Sequence, residues 1–213
     1  MIFLIRIKKI LKLFLTFKFT FINPDKSEIL ILDNVDSDRI IHLVKDLKFG
    51  ILPIRYDHIK KIHVTPQILR FFFKYIFKTK LTTAYFCSVI EIIKPKLAIT
   101  NIDNSIQVSN ISKLLHRKIN FLAVQNSARY EFGELGKKYT KKFFFPELAC
   151  FGPYEKKLYK SFNIKVKKFF VCGSLRLSHF NELQKNQDKK YDICLISEAS
   201  PFGSDNKFPG FKE

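Results

Sequence analysis

The chain has 213 residues, 46% of them hydrophobic, and its 38 lysines and arginines outnumber its 19 aspartates and glutamates, for a formal net charge of +19. This length allows one core of ~150–200 residues but not two full domains, and the hydrophobic content excludes a disordered chain. The positive charge favours phosphates, anionic lipid or nucleic acid. Neither paired-cysteine zinc spacing nor an aromatic RNA-binding signature is present, so we do not expect a nucleic-acid partner.

Residues 1–22 are apolar but carry five cations and no acidic residue. The cations interrupt the apolar run, which argues against both a signal peptide and a membrane-spanning helix. On a helical wheel Phe3, Ile7, Ile10 and Phe14 form one stripe, and lysines lie nearly opposite. This pattern predicts a basic amphipathic helix lying in a membrane interface. The alternative is a helix that packs the same stripe against the rest of the protein.

Six short apolar runs then alternate with helical patterns. This alternation predicts the α/β class, with one Rossmann-like parallel sheet and helices on both of its faces, over residues 26–185. The predicted strands cover residues 28–33, 50–55, 97–100, 120–125, 148–152 and 168–172.

The helices between these strands have recognisable start signals. Acidic and hydroxyl residues at 36–38 cap the first helix, and Thr65 followed by Pro66 begins the second. Residues 68–77 of the second are so rich in phenylalanine that we expect a buried helix, with a membrane-contacting surface as the alternative. A third helix is predicted over 81–93. The apolar face of the first helix is Ile40, Leu43, Val44 and Leu47.

The C-terminal region, residues 186–213, is predicted to be a linker followed by the truncated start of a second Rossmann-like domain. Residues 181–190 are polar throughout, and 191–197 form an apolar, strand-like run. Residues 198–213 have no core-forming pattern, so we expect that this second domain is not completed.

The four cysteines, Cys87, Cys150, Cys172 and Cys194, are far apart, and three of them lie in apolar strand runs. This spacing indicates neither a disulfide framework nor a metal site. We expect buried free thiols in a reducing compartment. No motif points to a cofactor.

Polar residues follow the predicted strands at their carboxyl ends, which is where sheets of this class bind ligands. Asp103 and Asn104 follow the third strand, and Gln125, Asn126 and Arg129 follow the fourth. Amide, hydroxyl and carboxylate groups suit a sugar or another polyol. The alternative is that these residues only form turns and cap helices.

Gly173, Ser174 and Arg176 follow the last predicted strand of this domain. Glycine allows close backbone approach, serine caps a helix, and the free amide groups lie beside an arginine, so we expect an anion site. The alternative is an ordinary capped turn. The glycine spacing of nucleotide-binding fingerprints is missing. Because arginine grips planar and phosphate groups better than lysine, we also predict that Arg129 and Arg176 line one cleft.

Taken in order, these strand-end motifs resemble the N-terminal half of the bacterial surface carbohydrate biosynthesis proteins. Those proteins are similar to two-domain GT-B glycosyltransferases and, more distantly, to CDP-glycerol glycerophosphotransferases. The resemblance covers about residues 1–197. Its motifs lie at residues 29–33, 94–104, 123–126, 150–159 and 171–176.

The resemblance implies an acceptor-side domain of a glycosyltransferase-like protein. The basic amphipathic segment 1–22 predicts in addition that the protein is cytoplasmic and bound peripherally to the inner face of the cell membrane. Its acceptor would be a carbohydrate or a lipid-linked carbohydrate, and a nucleotide-sugar donor would bind only if the second half is supplied. No residue is assigned as the base. The implied cleft-lining residues are Asp103, Asn104, Gln125, Asn126, Arg129, Tyr154, Ser174 and Arg176.

The chain departs from the family pattern at two points. Ser127 stands where the family has glycine, and the donor half does not follow the first domain. We therefore expect a truncated or split gene product that is inactive alone. The alternative is a non-catalytic binding or partner subunit whose partner chain supplies the donor half.

Overall fold

The computed structural model describes residues 18–128, 143–162 and 164–178. Arg129, Cys194, the run at 191–197 and residues 1–17 of the basic segment lie outside the described residues, so the predictions made for them stay predictions.

The described residues form two parallel sheets, which confirms the predicted α/β class with a Rossmann-like parallel sheet. A small sheet pairs β1 (Lys18–Thr20) with β4 (Lys61–His63). The main sheet has six parallel strands, which are β2 (Ile29–Leu32), β3 (Phe49–Leu52), β5 (Leu97–Thr100), β6 (Asn120–Val124), β7 (Phe144–Cys150) and β8 (Lys165–Val171). Their order across the sheet is β3-β2-β5-β6-β7-β8.

Helices cover both faces of the main sheet, as predicted. They are α1 (Asp38–Val44), α2 (Pro66–Ile76), α3 (Leu81–Ile93), α4 (Ile106–Leu115) and α5 (Pro153–Ser161). A 3₁₀ turn, Tyr56–His58, follows β3. Side chains alternate along each strand, so Leu30 and Ala98 pack into the core under α3, α4 and α5, whereas Ile31 and Ile99 pack with Ile40 of α1 on the other face.

Strand β7 begins at Phe144, earlier than the predicted start at residue 148. The strand extends past Pro146, although proline lacks a backbone N–H and is normally confined to the edges of sheets. Here the pairing with β6 begins only at Glu147, so the proline lies where β7 has a neighbour on one side alone. Strand β8 likewise begins at Lys165 rather than at 168.

The end of the segment predicted to be helical, Lys18–Thr20, is instead the strand β1. Phe19 and Thr20 are aromatic and β-branched, and such residues favour strands. Pairing with β4 satisfies their backbone groups, and this partner lies more than 40 residues away in the sequence. The helical prediction is therefore wrong for these residues.

Helix α2 is not buried on all sides, and the expectation of a buried helix is wrong. Ile68 and Tyr75 are buried, but Leu69, Phe73 and Phe77 are exposed. Only the face of this helix that carries Ile68 and Tyr75 packs against the core, and no described element covers the opposite face. Among the described residues, no helix is both long and apolar enough to cross a bilayer.

The first helix buries less of its predicted apolar face than expected. Ile40 and Val44 are buried, whereas Leu43 and Leu47 are exposed. Helix α1 ends at Val44, so Leu47 lies beyond its last turn.

The described cysteines are free thiols, but they are not all buried. Cys87 and Cys150 are buried, and burial raises the pKa of Cys87 to about 12. Cys172 is exposed, because it directly follows the edge strand β8. The prediction of burial is wrong for this cysteine.

Candidate functional site

The strand order creates a crevice between β2 and β5. The chain leaves β2 in one direction to form β3 and then returns past β2 to form β5. The loops after β2 and β5 therefore lead to α1 and α4 on opposite faces of the sheet. Ligands bind at such a switch point, outside the carboxyl ends of the strands.

The loop after β2 has an unusual backbone. Asp33 and Asp36 have φ angles of +86° and +56°, a left-handed conformation that few residues other than glycine adopt. Asn101, which follows β5, donates hydrogen bonds from Nδ2 to the carbonyl oxygens of Val35 and Asp36, at 3.1 and 3.0 Å. Clustered left-handed residues are typical of functional loops, and this one is held in place from the neighbouring strand.

The carboxylate of Asp33 is completely buried and lies against an arginine. Arg55 Nε is 2.7 Å from Asp33 Oδ2, although the arginine side chain itself is 44% exposed. Among the described residues no group makes a hydrogen bond of good geometry to either carboxylate oxygen, so this contact is an ion pair by distance. The buried charge fixes the guanidinium at the edge of the crevice.

Arg55 lines a cavity that we call the Arg55 cavity. Its volume of about 370 Å³ is within the size range of small-molecule sites. It opens beside the N-terminus of α4, where Ser105 Oγ accepts a hydrogen bond of 3.4 Å from the Val108 amide. Its apolar walls include Phe86 and Ile102. Its polar lining consists of Arg55, Tyr56, Thr82, Asn104, Ser105 and Gln107.

A second group of polar residues surrounds a hollow on the α1 side of the same edge, the Arg176 hollow. Its volume is about 10 Å³, which is no more than one water molecule requires. Three of the residues predicted from sequence, Gln125, Asn126 and Arg176, meet here. The polar lining is Asp36, Arg39, Asn101, Gln125, Asn126 and Arg176.

Gln125 braces the ends of two strands. Its Nε2 donates a hydrogen bond of 2.9 Å to the Ser127 carbonyl, and its Oε1 accepts one of 3.0 Å from the Phe151 amide. The side chain is almost completely buried. Gln125 therefore connects the loops after β6 and β7, while Asn126 beside it reaches the hollow.

The remaining predicted residues lie in different surroundings. Asp103 is completely buried and accepts a hydrogen bond from the Tyr159 hydroxyl of α5, so it connects the end of β5 to that helix. Asn104, its neighbour, lines the Arg55 cavity. Tyr154 is exposed near the start of α5 and lines neither the cavity nor the hollow.

The turn after β8 has the conformation that its sequence predicts. Gly173 has a φ of +80° with open space where a side chain would begin, so glycine is required by the backbone angle. Ser174 Oγ accepts a hydrogen bond of 3.3 Å from the Leu177 amide. Only residues 175–178 of the following helix are described. Arg176 lies at the hollow, and the cleft that it was predicted to share with Arg129 stays a prediction.

A larger cleft of about 610 Å³ runs along β3, between the small and the main sheet. Its lining begins at Ser27 and Phe49, at the amino ends of the strands, and reaches Asn34 and His58 at the other end. Ligands of parallel sheets bind at the carboxyl ends. The Arg55 cavity, which lies at the carboxyl ends, is therefore the stronger candidate site.

Sequence reasoning missed Arg55 and the role of its partner. It placed Asp33 and Arg55 only at the ends of predicted strands and assigned neither of them to the site. A usable signal exists, since Arg55 is one of only seven arginines and ends an apolar run. The ion pair itself depends on β2 and β3 being neighbours.

Comparison of this chain with family models, with curated proteins and with solved structures finds no match. Among the described residues, no three His, Cys, Asp or Glu side chains are grouped so that they could hold a metal ion.

Proposed function

We propose that this domain is the acceptor-side domain of a glycosyltransferase-like protein of bacterial surface polysaccharide biosynthesis, and that the Arg55 cavity receives the acceptor. One observation carries the proposal: at the carboxyl edge of the sheet, between the segments that follow β3 and β5, a cavity of about 370 Å³ combines one fixed guanidinium with five neutral polar side chains. Of the cleft-lining residues that the resemblance implies, this proposal retains Asn104, which lines the Arg55 cavity.

The lining matches a sugar that carries a phosphate. Amides and hydroxyls, here those of Asn104, Gln107 and Thr82, read sugar hydroxyls through neutral hydrogen bonds. A guanidinium binds phosphate through two parallel hydrogen bonds, and the N-terminus of α4 adds a favourable dipole. A lipid-linked acceptor supplies both chemical groups.

Asp33 has a positioning role in this proposal. Its carboxylate engages Nε of Arg55, so the contact does not occupy the terminal nitrogens of the guanidinium. Because Asp33 is buried behind the arginine, it restricts the side chain before a ligand arrives. A restricted side chain loses less conformational freedom on binding.

The donor would be a nucleotide-sugar held by a second half, as in the two-domain proteins that the sequence resembles. One observation favours the second candidate function, a non-catalytic binding or partner subunit. The described residues that line the Arg55 cavity include no carboxylate and no histidine, and the acid predicted from the sequence, Asp103, accepts a hydrogen bond from Tyr159. Such a lining suits the binding of an acceptor, but these residues supply no general base.

We also propose a peripheral location on the inner face of the cell membrane, mediated by the basic segment 1–22. Each cation near an anionic leaflet contributes about 1 kcal/mol of attraction, and the segment carries five cations without an acid. We expect the full chain to co-sediment with anionic vesicles and a chain lacking residues 1–17 to bind less. Equal binding by both proteins, or none by either, contradicts this location.

The cavity is tested by titration with a soluble acceptor mimic. We expect hexose 1-phosphate to perturb backbone amide NMR signals of residues 102–107, and free hexose or inorganic phosphate to bind more weakly. Arg55→Ala should weaken hexose 1-phosphate binding at least about tenfold, the loss of one charge-assisted contact. Arg117→Ala, at an exposed arginine outside the cavity, is the matched control and should change nothing. Binding that survives Arg55→Ala refutes the site.

A further inference from the structure

The outer face of α2 and its C-terminal turn presents apolar side chains to solvent. Leu69, Phe73 and Phe77 recur every four residues, so they form one stripe along the helix. Their exposed fractions are 41%, 61% and 90%. Leu81, at the start of α3, is exposed by 61% as well.

This exposure is not caused by poor packing of the helix. The opposite stripe of α2 buries Ile68 and Tyr75, and Phe72 and Ile76 pack against the same core. The helix is therefore docked through its inner face. Its outer face carries a second apolar stripe that folding of the described residues leaves uncovered.

A row of cations runs beside the stripe, each one residue further along the chain: Arg70, Lys74 and Lys78. Lys74 approaches Glu91 at 3.6 Å, whereas Arg70 and Lys78 form no ion pair with any residue that the structure describes. Residues 58–90 contain six lysines and arginines and no acidic residue. All charged side chains of residues 58–90 other than histidine are therefore positive.

We propose that this outer face, made of Leu69, Phe73 and Phe77 together with Arg70, Lys74 and Lys78, lies on the surface of an anionic lipid bilayer. Aromatic and aliphatic side chains would enter the boundary between headgroups and acyl chains, and the cations would contact anionic headgroups. The proposal is independent of the Arg55 cavity, whose ligand binding is measured without lipid.

Two further observations favour a bilayer over a protein partner. Among the described phenylalanines, those more than half exposed are Phe73 and Phe77 of this face and Phe21 at the end of the basic segment. The described end of the basic segment, residues 18–22, also leads to the start of α2, because Thr65 Oγ1 donates a hydrogen bond of 2.7 Å to Asn23 Oδ1.

The chain contains no tryptophan, so a single introduced tryptophan reports on one position. We expect emission of Phe77→Trp to shift to shorter wavelength on vesicles rich in phosphatidylglycerol, and to be quenched by brominated acyl chains. Leu43→Trp, at a leucine of α1 that is as exposed as Phe73, is the control and should show neither effect. Absence of both effects for Phe77→Trp, or the same shift on pure phosphatidylcholine, overturns the proposal. Emission already blue-shifted without lipid would show that the protein itself covers the face, which also overturns it.

Co-sedimentation of the full chain provides a second measurement. Replacing Phe73 and Phe77 by serine should lower partitioning onto anionic vesicles at least about tenfold, because two exposed rings no longer insert. The control is serine at Leu43 and Leu47, which should bind as the unchanged chain does. Thermal unfolding should be unaffected in both double variants, since all four side chains are exposed. If the phenylalanine variant binds vesicles as the unchanged chain does, the proposed contact with a bilayer is wrong. The same holds if the variant loses only self-association.

The contribution of charge is tested separately. Arg70→Glu combined with Lys78→Glu should also weaken binding to anionic vesicles at least about tenfold. Lys157→Glu combined with Lys160→Glu changes the net charge equally on the exposed side of α5 and should have a much smaller effect. Equal losses in the two charge variants would mean that only net charge matters, which contradicts a specific contact face.

Discussion

Arg55 Nε lies 2.7 Å from Oδ2 of Asp33, whose carboxylate is completely buried at the end of the neighbouring strand. The parallel register of β2 and β3 places Leu32 beside Leu52, so the residues that follow both strands emerge at one edge. A buried ion pair is weak evidence for stability, because removing the charges from water offsets much of their attraction. Its clearer effect here is to orient the guanidinium toward the Arg55 cavity.

Substitutions at Asp33 should separate its charge from its backbone conformation. Asp33→Asn keeps a residue that tolerates a left-handed φ, so we expect a free energy of unfolding within about 1 kcal/mol of the unchanged protein. Because the guanidinium is no longer fixed, hexose 1-phosphate should bind several-fold more weakly. Asp33→Ala should lose a further ~1–2 kcal/mol, because alanine is strained at this φ. Urea unfolding measures both variants, and equal stability of the two would contradict the strain argument.

Tyr159→Phe should destabilise the fold without affecting the cavity. The hydroxyl donates to the buried carboxylate of Asp103, and its loss leaves that carboxylate without this donor. We expect a decrease of about 1–3 kcal/mol in the free energy of unfolding. Hexose 1-phosphate affinity, measured below the new midpoint, should not change. A change in affinity with unchanged stability would instead place Asp103 in ligand binding.

Glu91 connects α2, α3 and the turn after α4. It accepts hydrogen bonds from the Tyr75 hydroxyl and the Lys118 ammonium, and Lys74 approaches it at 3.6 Å. Burial raises the pKa of this carboxyl, but the hydrogen bonds from Lys118 and Tyr75 and the two lysine charges outweigh burial, so its pKa falls below the ordinary 4.5. The ionised form is therefore the one that stabilises the fold.

This pKa shift predicts how stability depends on pH. A lowered pKa in the folded state means that the stabilisation is fully present above pH 4.5 and is lost as the pH falls through the folded-state pKa. Glu91→Gln should lower the free energy of unfolding by about 1–3 kcal/mol at neutral pH. The difference between the two proteins should shrink in acid. Glu28→Gln, at an exposed glutamate paired with Lys96, is the control and should have a small effect. A difference that does not vary with pH would contradict the assignment.

The described domain should bind nucleotide-sugars poorly. The turn between β2 and α1, residues 33–37, contains no glycine, so it lacks the backbone approach that nucleotide phosphates require. Transfer also needs donor and acceptor held in one geometry. We expect titration of the purified chain with CDP-, UDP- and CMP-linked sugars to show neither micromolar binding nor release of the nucleotide. Micromolar binding followed by nucleotide release would show that this chain supplies its own donor site.

Much of the local structure follows from the sequence alone. Residues 97–100 form a strand and 81–93 a helix with the predicted bounds, and Thr65 caps α2 with Pro66 in its first turn. These features depend on neighbours a few positions apart, through side-chain periodicity, capping hydrogen bonds and the geometry of proline. The parallel sheet follows too, since alternating strands and helices have few ways to bury their apolar faces.

The tertiary structure decided which strand ends are neighbours and which helix faces are covered. Asn104 and Gln125 look alike in sequence, as polar residues after apolar strands, yet one lines the Arg55 cavity and the other braces two loops. Whether Asp103 is buried depends on Tyr159, 56 residues away, and whether Phe73 is exposed depends on which stripe of α2 meets the core. Both stripes of that helix are apolar, so its periodicity does not distinguish them. Local pattern determines what an element is, whereas contacts between residues distant in sequence determine what each side chain meets.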